Sequence, residues 1–395
     1  MTVSGANRSV ERFSLVAGGP FHSVLSRLGL VGEDQLPLWR ASFGIALVAW
    51  LLPALPAVVQ SLVDDAYSGW GYFTDLTVYA RFLVAIAVMV ATERHADGRL
   101  EMLARQFREA RLITDEGIPG YRAALDSADR LSSSGVAEGV IAALALIWSG
   151  FTARFVVALA DSSWEGMDVG GDVQLSWAGV AASIVSNPLF LFLVLRWTWR
   201  FLLWSQLLFR ISRLPLLLSP PHPDRSAGLG FLAIYPTIFS GVLFALSCVV
   251  ASAFLKDLSL VEHSSRTIWF AIGGWLAISV GILLGPLLVF ARPLYLVRER
   301  ALLEYGRLGS QHHLAFHRKW IEGERGGEQL LGDPDISSVA DLNASVETIE
   351  TMRIVPVDRT AIQSLLTSAG VPMLAVMATQ VPLLELLKWI AGAVF

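Results

Sequence analysis

The sequence predicts an all-α, polytopic transmembrane bundle of about seven membrane helices with a helical cytoplasmic layer. Three observations predict it. The 395 residues are 54% hydrophobic and only 16% charged, outside the range of soluble globular chains. The apolar residues gather into seven runs long enough to matter to a bilayer. The loops between the runs alternate, for 24 of the 30 Lys and Arg residues fall near 1–40, 93–135, 199–225 and 292–359. The intervening loops near 64–80, 161–177 and 255–266 hold only Lys256 and Arg266, and are acidic through residues such as Asp64, Asp75, Asp168 and Asp257. Under the positive-inside rule this alternation predicts a multi-pass protein of the bacterial cytoplasmic (inner) membrane with a cytoplasmic N-terminus.

The elements follow in order. Segment 1–36 carries Arg8, Arg12 and Arg27 without a compact apolar core and cleavage site, so it reads as a cytoplasmic segment and not a cleaved signal peptide. Segment 37–93 holds the first two membrane helices; Pro53 and Pro56 should kink the first. Segment 94–135 reads as two amphipathic cytoplasmic helices broken at Gly117-Ile118-Pro119, with Leu100, Leu103 and Phe107 on one face of the first and Ile118, Tyr121 and Leu125 on one face of the second.

Segment 136–291 holds membrane helices three to six. The fourth stays apolar from near Leu175, passes Asn187-Pro188, and continues through an Arg/Trp run to about Leu218, roughly 60 Å at 1.5 Å per residue. Segment 292–357 is a polar helical stretch. Segment 358–395 contains a seventh run, Ala361–Val381, interrupted by Pro372, and a final apolar dozen too short to span. The single cysteine, Cys248, lies inside an apolar run and supports no disulfide.

The most distinctive short stretch is His222-Pro223-Asp224-Arg225-Ser226-Ala227-Gly228-Leu229-Gly230-Phe231, within a turn at 219–231. Together with Arg196-Trp197-Thr198-Trp199-Arg200, Val355-Pro356 and Val371-Pro372, it resembles a family of uncharacterised bacterial inner-membrane proteins with an HPD-[RK]-x-[GA]-G-L-G-F signature. Ala227 stands where glycine is commoner in that pattern. The resemblance implies a polytopic membrane fold and brings no activity with it. The His-Pro-Asp triplet also occurs in co-chaperone J-domains, but there it joins two soluble helices.

Four constellations are candidates for function. Arg81 and Arg154 lie inside membrane runs, each about 9–12 Å from an outer end at helical rise. They could bind a carboxylate, phosphate or inorganic anion in an outer cavity, or each could snorkel or pair with a neighbouring carboxylate. His222 and Asp224 are either a helix cap with its turn or a site for a proton, a metal or an anionic headgroup. Arg196 and Arg200 with Trp197, Trp199 and Trp204 fit a helix anchored in the lipid headgroup layer. His313 and His317, four apart, are weak metal candidates: Leu314 stands where the zinc-protease pattern needs Glu.

No Walker loop, Gly-x-Ser-x-Gly elbow or dinucleotide fingerprint is present, so no cofactor is expected. The expected partners are the lipid bilayer and a small solute or ion, with no nucleic acid; self-association into a homo-oligomer stays open. The function expected first is a channel or transporter for a small solute or ion. The alternatives are a non-catalytic sensor, regulator or assembly factor working through the polar helices, and a membrane-embedded enzyme acting on a lipid-borne substrate.

Overall fold

The computed structural model describes residues 14–15, 20, 38–64, 67–158, 164–169, 172–260, 265–323 and 334–380. Most of segment 1–36 and the final apolar dozen, 383–395, therefore lie outside the described residues. Helix α1 spans Leu38–Val63 and keeps both Pro53 and Pro56 inside it. A continuous helix α2, Leu76–Glu109, follows. The first amphipathic segment of 94–135 is thus no separate helix but the extension of α2, because the buried stripe Met89, Ala96, Leu100, Leu103 and Phe107 continues without a break. The second begins where expected, as α3, Ile118–Ser132, with proline in its first turn.

Helix α4 spans Gly135–Ala158. It leads to a small antiparallel hairpin, β1 Gly166–Val169 and β2 Asp172–Leu175, with Gly166 opposite Leu175 and Val169 opposite Asp172. Helix α5 runs over Trp177–Ile211. A turn and two short helical turns lead to α6, Ser240–Leu260. Helix α7, Ser265–Leu284, continues through a 3-10 segment at Gly285–Phe290 into α8, Ala291–Trp320, and α9, Pro334–Glu350, packs back along α8. Helix α10 spans Arg359–Gln380.

Six helices among the described residues are long and apolar enough to cross a membrane, against the seven expected. The seventh run forms α10, and its end lies at the edge of the described residues. It packs by a narrow stripe, Leu365, Ala369, Met373 and Val376, against α6 and α7.

The core lies where α2 and α5 run side by side with α1, α4 and α6 around them. The opposite faces are apolar and open: Leu62 on α1 is 81% exposed, and Ile147 on α4 is 69% exposed. In water such faces would be a liability, whereas lipid solvates them. The acidic loops gather at one end of the bundle, where Asp75 meets Trp164 and Lys256, and the arginine-rich segments at the other, where Leu217 meets Leu112 and Arg353 meets Arg225.

Candidate functional site

A cavity of about 420 Å³ opens in the acidic half of the bundle, between α2, α4, α5 and α6. Asp75 sits at its rim and caps α2: its Oδ1 accepts from Thr77 N at 2.9 Å and from Thr77 Oγ1 at 2.6 Å. Its Oδ2 accepts from Lys256 Nζ of α6 at 3.0 Å and from Trp164 Nε1 at 3.2 Å. That carboxylate is thus fully engaged, and it ties α2 and α6 to Trp164, just before the hairpin.

Six residues further along α2, about 9 Å deeper at helical rise, Arg81 lines the wall and donates through Nη1 to Asn187 Oδ1 at 3.1 Å. Among the described residues no carboxylate pairs with Arg81. Both partners of this bond stand at widened turns of their helices. Arg81 lies within a π-helical turn over Tyr79–Ala85, and Asn187 directly follows another over Ala182–Ser186. Pro188 supplies the reason for the second: it has no N–H for the carbonyl four residues back, and the ladder must widen to pass it. Such turns re-aim side chains and recur at functional positions.

Arg154 does not join Arg81. Trp148 and Thr152 face the cavity from α4, but Arg154 is exposed and lies two residues beyond Thr152, about 200° round the helix. The two arginines expected to share one site do not converge: Arg81 lines this cavity and Arg154 does not.

Below the cavity, Phe82, Ile86, Met89 and Leu193 fill the interior, each almost wholly buried. Beyond them lies a buried ionic cluster. Arg196 Nη1 bonds Glu93 Oε1, Arg196 Nε bonds Glu138 Oε1 at 3.0 Å, and Arg200 Nη1 stands 3.1 Å from Glu93 Oε1. Side chains of all four are 10% exposed or less. The Arg200 guanidinium also lies over the Trp197 ring, 5.1 Å from its centroid, and Trp197 Nε1 donates to Met89 O at 3.1 Å.

Arg196, Arg200, Trp197 and Trp204 are therefore core residues, facing carboxylates and packed rings where the sequence suggested lipid headgroups; Trp199 is half-buried. The register explains it. Leu193, Arg196, Trp197, Arg200, Leu203, Trp204, Leu207 and Ile211 form one helical stripe, and that stripe faces inward. Glu93 was overlooked in the sequence. The available signal was a carboxylate at the same end of α2 and of α4 as the Arg/Trp run of α5, since buried charges need partners.

His222 and Asp224 form a turn. Asp224 Oδ1 accepts from Ser226 N at 2.8 Å and Gly228 N at 3.2 Å, and Oδ2 accepts from Gly230 N at 2.7 Å. His222 Nδ1 lies 2.9 Å from Oδ1. Burial alone would raise the Asp224 carboxyl, but these backbone N–H groups and His222 outweigh it and hold it below the usual carboxylate range. The chain must wrap tightly to deliver three N–H groups to one carboxylate, so Arg225, Ala227 and Gly228 all take positive φ, with Ala227 at +54°. An alanine at position 227 therefore carries strain that a glycine there would not.

His313 and His317 do not converge. His313 Nε2 meets Asn343 Oδ1 of α9 at 3.0 Å, while His317 Nε2 lies 3.8 Å from Glu322. Among the described residues no three His, Cys, Asp or Glu side chains group as metal ligands.

Comparison of the chain with protein-family models, with curated proteins and with solved structures finds no significant match. What fold and site define on their own is a multi-pass, α-helical membrane protein: a polar cavity in one half of the bundle, an apolar barrier beneath it, and a buried ionic cluster beyond.

Proposed function

We propose that the chain is a channel or transporter for a small solute bearing a carboxylate or comparable oxyanion. The observation that carries this reading is Arg81 in the cavity wall, with no carboxylate partner among the described residues; of the two carboxylates in the lining, Asp75 is neutralised by Lys256 and the other is Glu165. A guanidinium within a membrane helix is costly to insert and gains most from an anion when water is scarce. In this reading the acidic end faces outward, the arginine-rich end faces the cytoplasm of a bacterium, and the cavity takes solute from outside. The side chains from Phe82 to Leu193 and the Glu93–Arg196–Glu138–Arg200 cluster then form the closed inner barrier, which transport must open.

The test uses proteoliposomes of the full chain and labelled chloride, acetate, glutamate and phosphate as probes. At least one should cross faster than in protein-free liposomes. Arg81→Gln, which removes a charge-assisted bond worth about 1.5–3 kcal/mol, should weaken its half-saturation roughly 10- to 100-fold. Absence of flux for every probe, or flux indifferent to Arg81→Gln, would refute the reading.

A second reading, a regulator working through the polar helices, rests on the exposed leucines of α8: Leu303 is 74% and Leu314 is 59% exposed in the polar half of the 55-residue helical run Arg266–Trp320. Its signature would be a loss of mass in light scattering when Leu303→Glu and Leu314→Glu are introduced. The enzyme reading loses its basis, because both Asp224 oxygens are occupied by the backbone of their own turn.

A further inference from the structure

A second cavity, about 530 Å³, lies at the arginine-rich end, where α2 ends and α3 begins. Helix α2 terminates there by a Schellman motif: Leu112 N donates to Phe107 O at 3.0 Å and Arg111 N to Arg108 O at 3.0 Å. The C′ position of that motif requires a left-handed backbone and is usually glycine, yet here it is Arg111, at φ +53°. Just beyond, the chain is pinned to the segment after α5. Ile113 bridges Leu216, Leu217 N donates to Leu112 O at 2.7 Å, and Thr114 N donates to Pro215 O at 3.3 Å. These bonds hold Arg111 in its strained conformation and fix it beside Arg108 and Arg122.

The three arginines face the cavity with Thr114 and Tyr121, and Asp115 is the single carboxylate of its lining. No ion pair ties Arg108, Arg111 or Arg122 to a described carboxylate, unlike Arg105, which Glu101 holds at 2.6 Å. Burial raises the Tyr121 phenol to about 12, with Arg108 pulling it part of the way back, so it adds no negative charge at neutral pH. Tyr121 donates its proton to Ala104 O of α2, which locks α3 onto the end of α2 and fixes the cavity's shape.

We propose that this cavity is a binding site for a phosphate-bearing anion, gripped by the guanidinium groups of Arg108, Arg111 and Arg122. Planar guanidinium forks match phosphate oxygens in pairs, and a cavity of this volume has room for more than a single phosphate group. Arg108 lies 32 residues along α2 from Leu76, about 48 Å at helical rise, against a hydrocarbon core of about 30 Å. The phosphate can therefore come from a soluble ligand or from a lipid headgroup curled up to the protein.

The site is independent of the transport reading and its test needs no flux. The purified full chain in a neutral detergent would be titrated with inorganic pyrophosphate by calorimetry. A second arm would compare its thermal stability in phosphatidylcholine nanodiscs with and without phosphatidylglycerol. Saturable pyrophosphate binding, weakened about tenfold or more by Arg108→Gln and by added salt, supports a soluble phosphate ligand. Stabilisation by phosphatidylglycerol alone, lost in Arg108→Gln, supports a headgroup. Arg105→Gln, on the same helix but already paired, should leave either response unchanged.

Arg111→Gly separates a binding role from a structural one. Glycine suits the left-handed position, so the variant should melt no lower than the wild type and yet lose the response. If Arg111→Gly lowers the melting temperature while binding persists, Arg111 is structural and the proposal fails. It fails equally if neither pyrophosphate nor phosphatidylglycerol affects the wild type more than it affects the Arg108→Gln protein.

Discussion

Replacing Glu93 by glutamine keeps the side chain's size and removes one negative charge from a cluster of two carboxylates and two guanidiniums. In the wild type Arg196 is shared between Glu93 and Glu138, and Arg200 lies 3.1 Å from Glu93. The variant leaves two buried cations with one carboxylate fewer: Glu138 still pairs Arg196, and Asp97 acts on Arg200. Glutamine can accept one hydrogen bond but also turns two N–H donors towards guanidiniums that are themselves only donors. Unmaking a buried pair in this way costs about 3–5 kcal/mol, mostly because the stranded charge has no water to solvate it.

The comparison that isolates the cause is Glu101→Gln. Its partner Arg105 is just 2.6 Å away, but their side chains are 32% and 47% exposed. An exposed helical pair of that kind is worth about 0.3–0.5 kcal/mol. Separation therefore does not rank these interactions; desolvation does. Reversible unfolding in mixed micelles, following loss of helix against denaturing detergent, would measure both. A Glu93→Gln cost within about 1 kcal/mol of the Glu101→Gln cost would show that water reaches the cluster, and the buried-charge argument would be wrong.

Asp224→Ala should destabilise by about 2–4 kcal/mol, since three backbone N–H groups lose their acceptor in one step; the same unfolding assay reads it, and a cost below about 0.5 kcal/mol would contradict the geometry. The Asp224 carboxyl titrates below its ordinary 3.8 in the folded chain, so its contribution is present above pH 3.8 and disappears as the pH falls through the lower folded value. Wild type should accordingly lose stability on acidification below pH 3.8 by more than Asp224→Ala does, and parallel acid profiles of the two would count against this.

The membrane character of this chain was determined by sequence alone. Apolar runs and alternating arginine content are local quantities, and a bilayer sorts them by depth without reference to tertiary contacts. The break before α3, the helical polar segments and the turn built on Asp224 were legible for the same reason, because glycine, proline and a short-range acceptor act within a few residues. The contacts of the last run were less legible: only packing shows that α10 lays Leu365 and Ala369 against Leu243 of α6.

Tertiary structure alone decided the rest, because it depends on which faces of different helices meet. The Arg/Trp run of α5 has a composition that suits a headgroup layer and a periodicity that suits a core. Only the arrival of Glu93 from α2 and Glu138 from α4 selects the core. Arg81 and Arg154 look alike in sequence, at one depth in two apolar runs. The π-helical turn of α2 aims Arg81 at Asn187, whereas the plain 100° step of α4 carries Arg154 out of the cavity. A sequence records the depth of a charge in a membrane; the angle at which it faces its neighbours is fixed only when the helices pack.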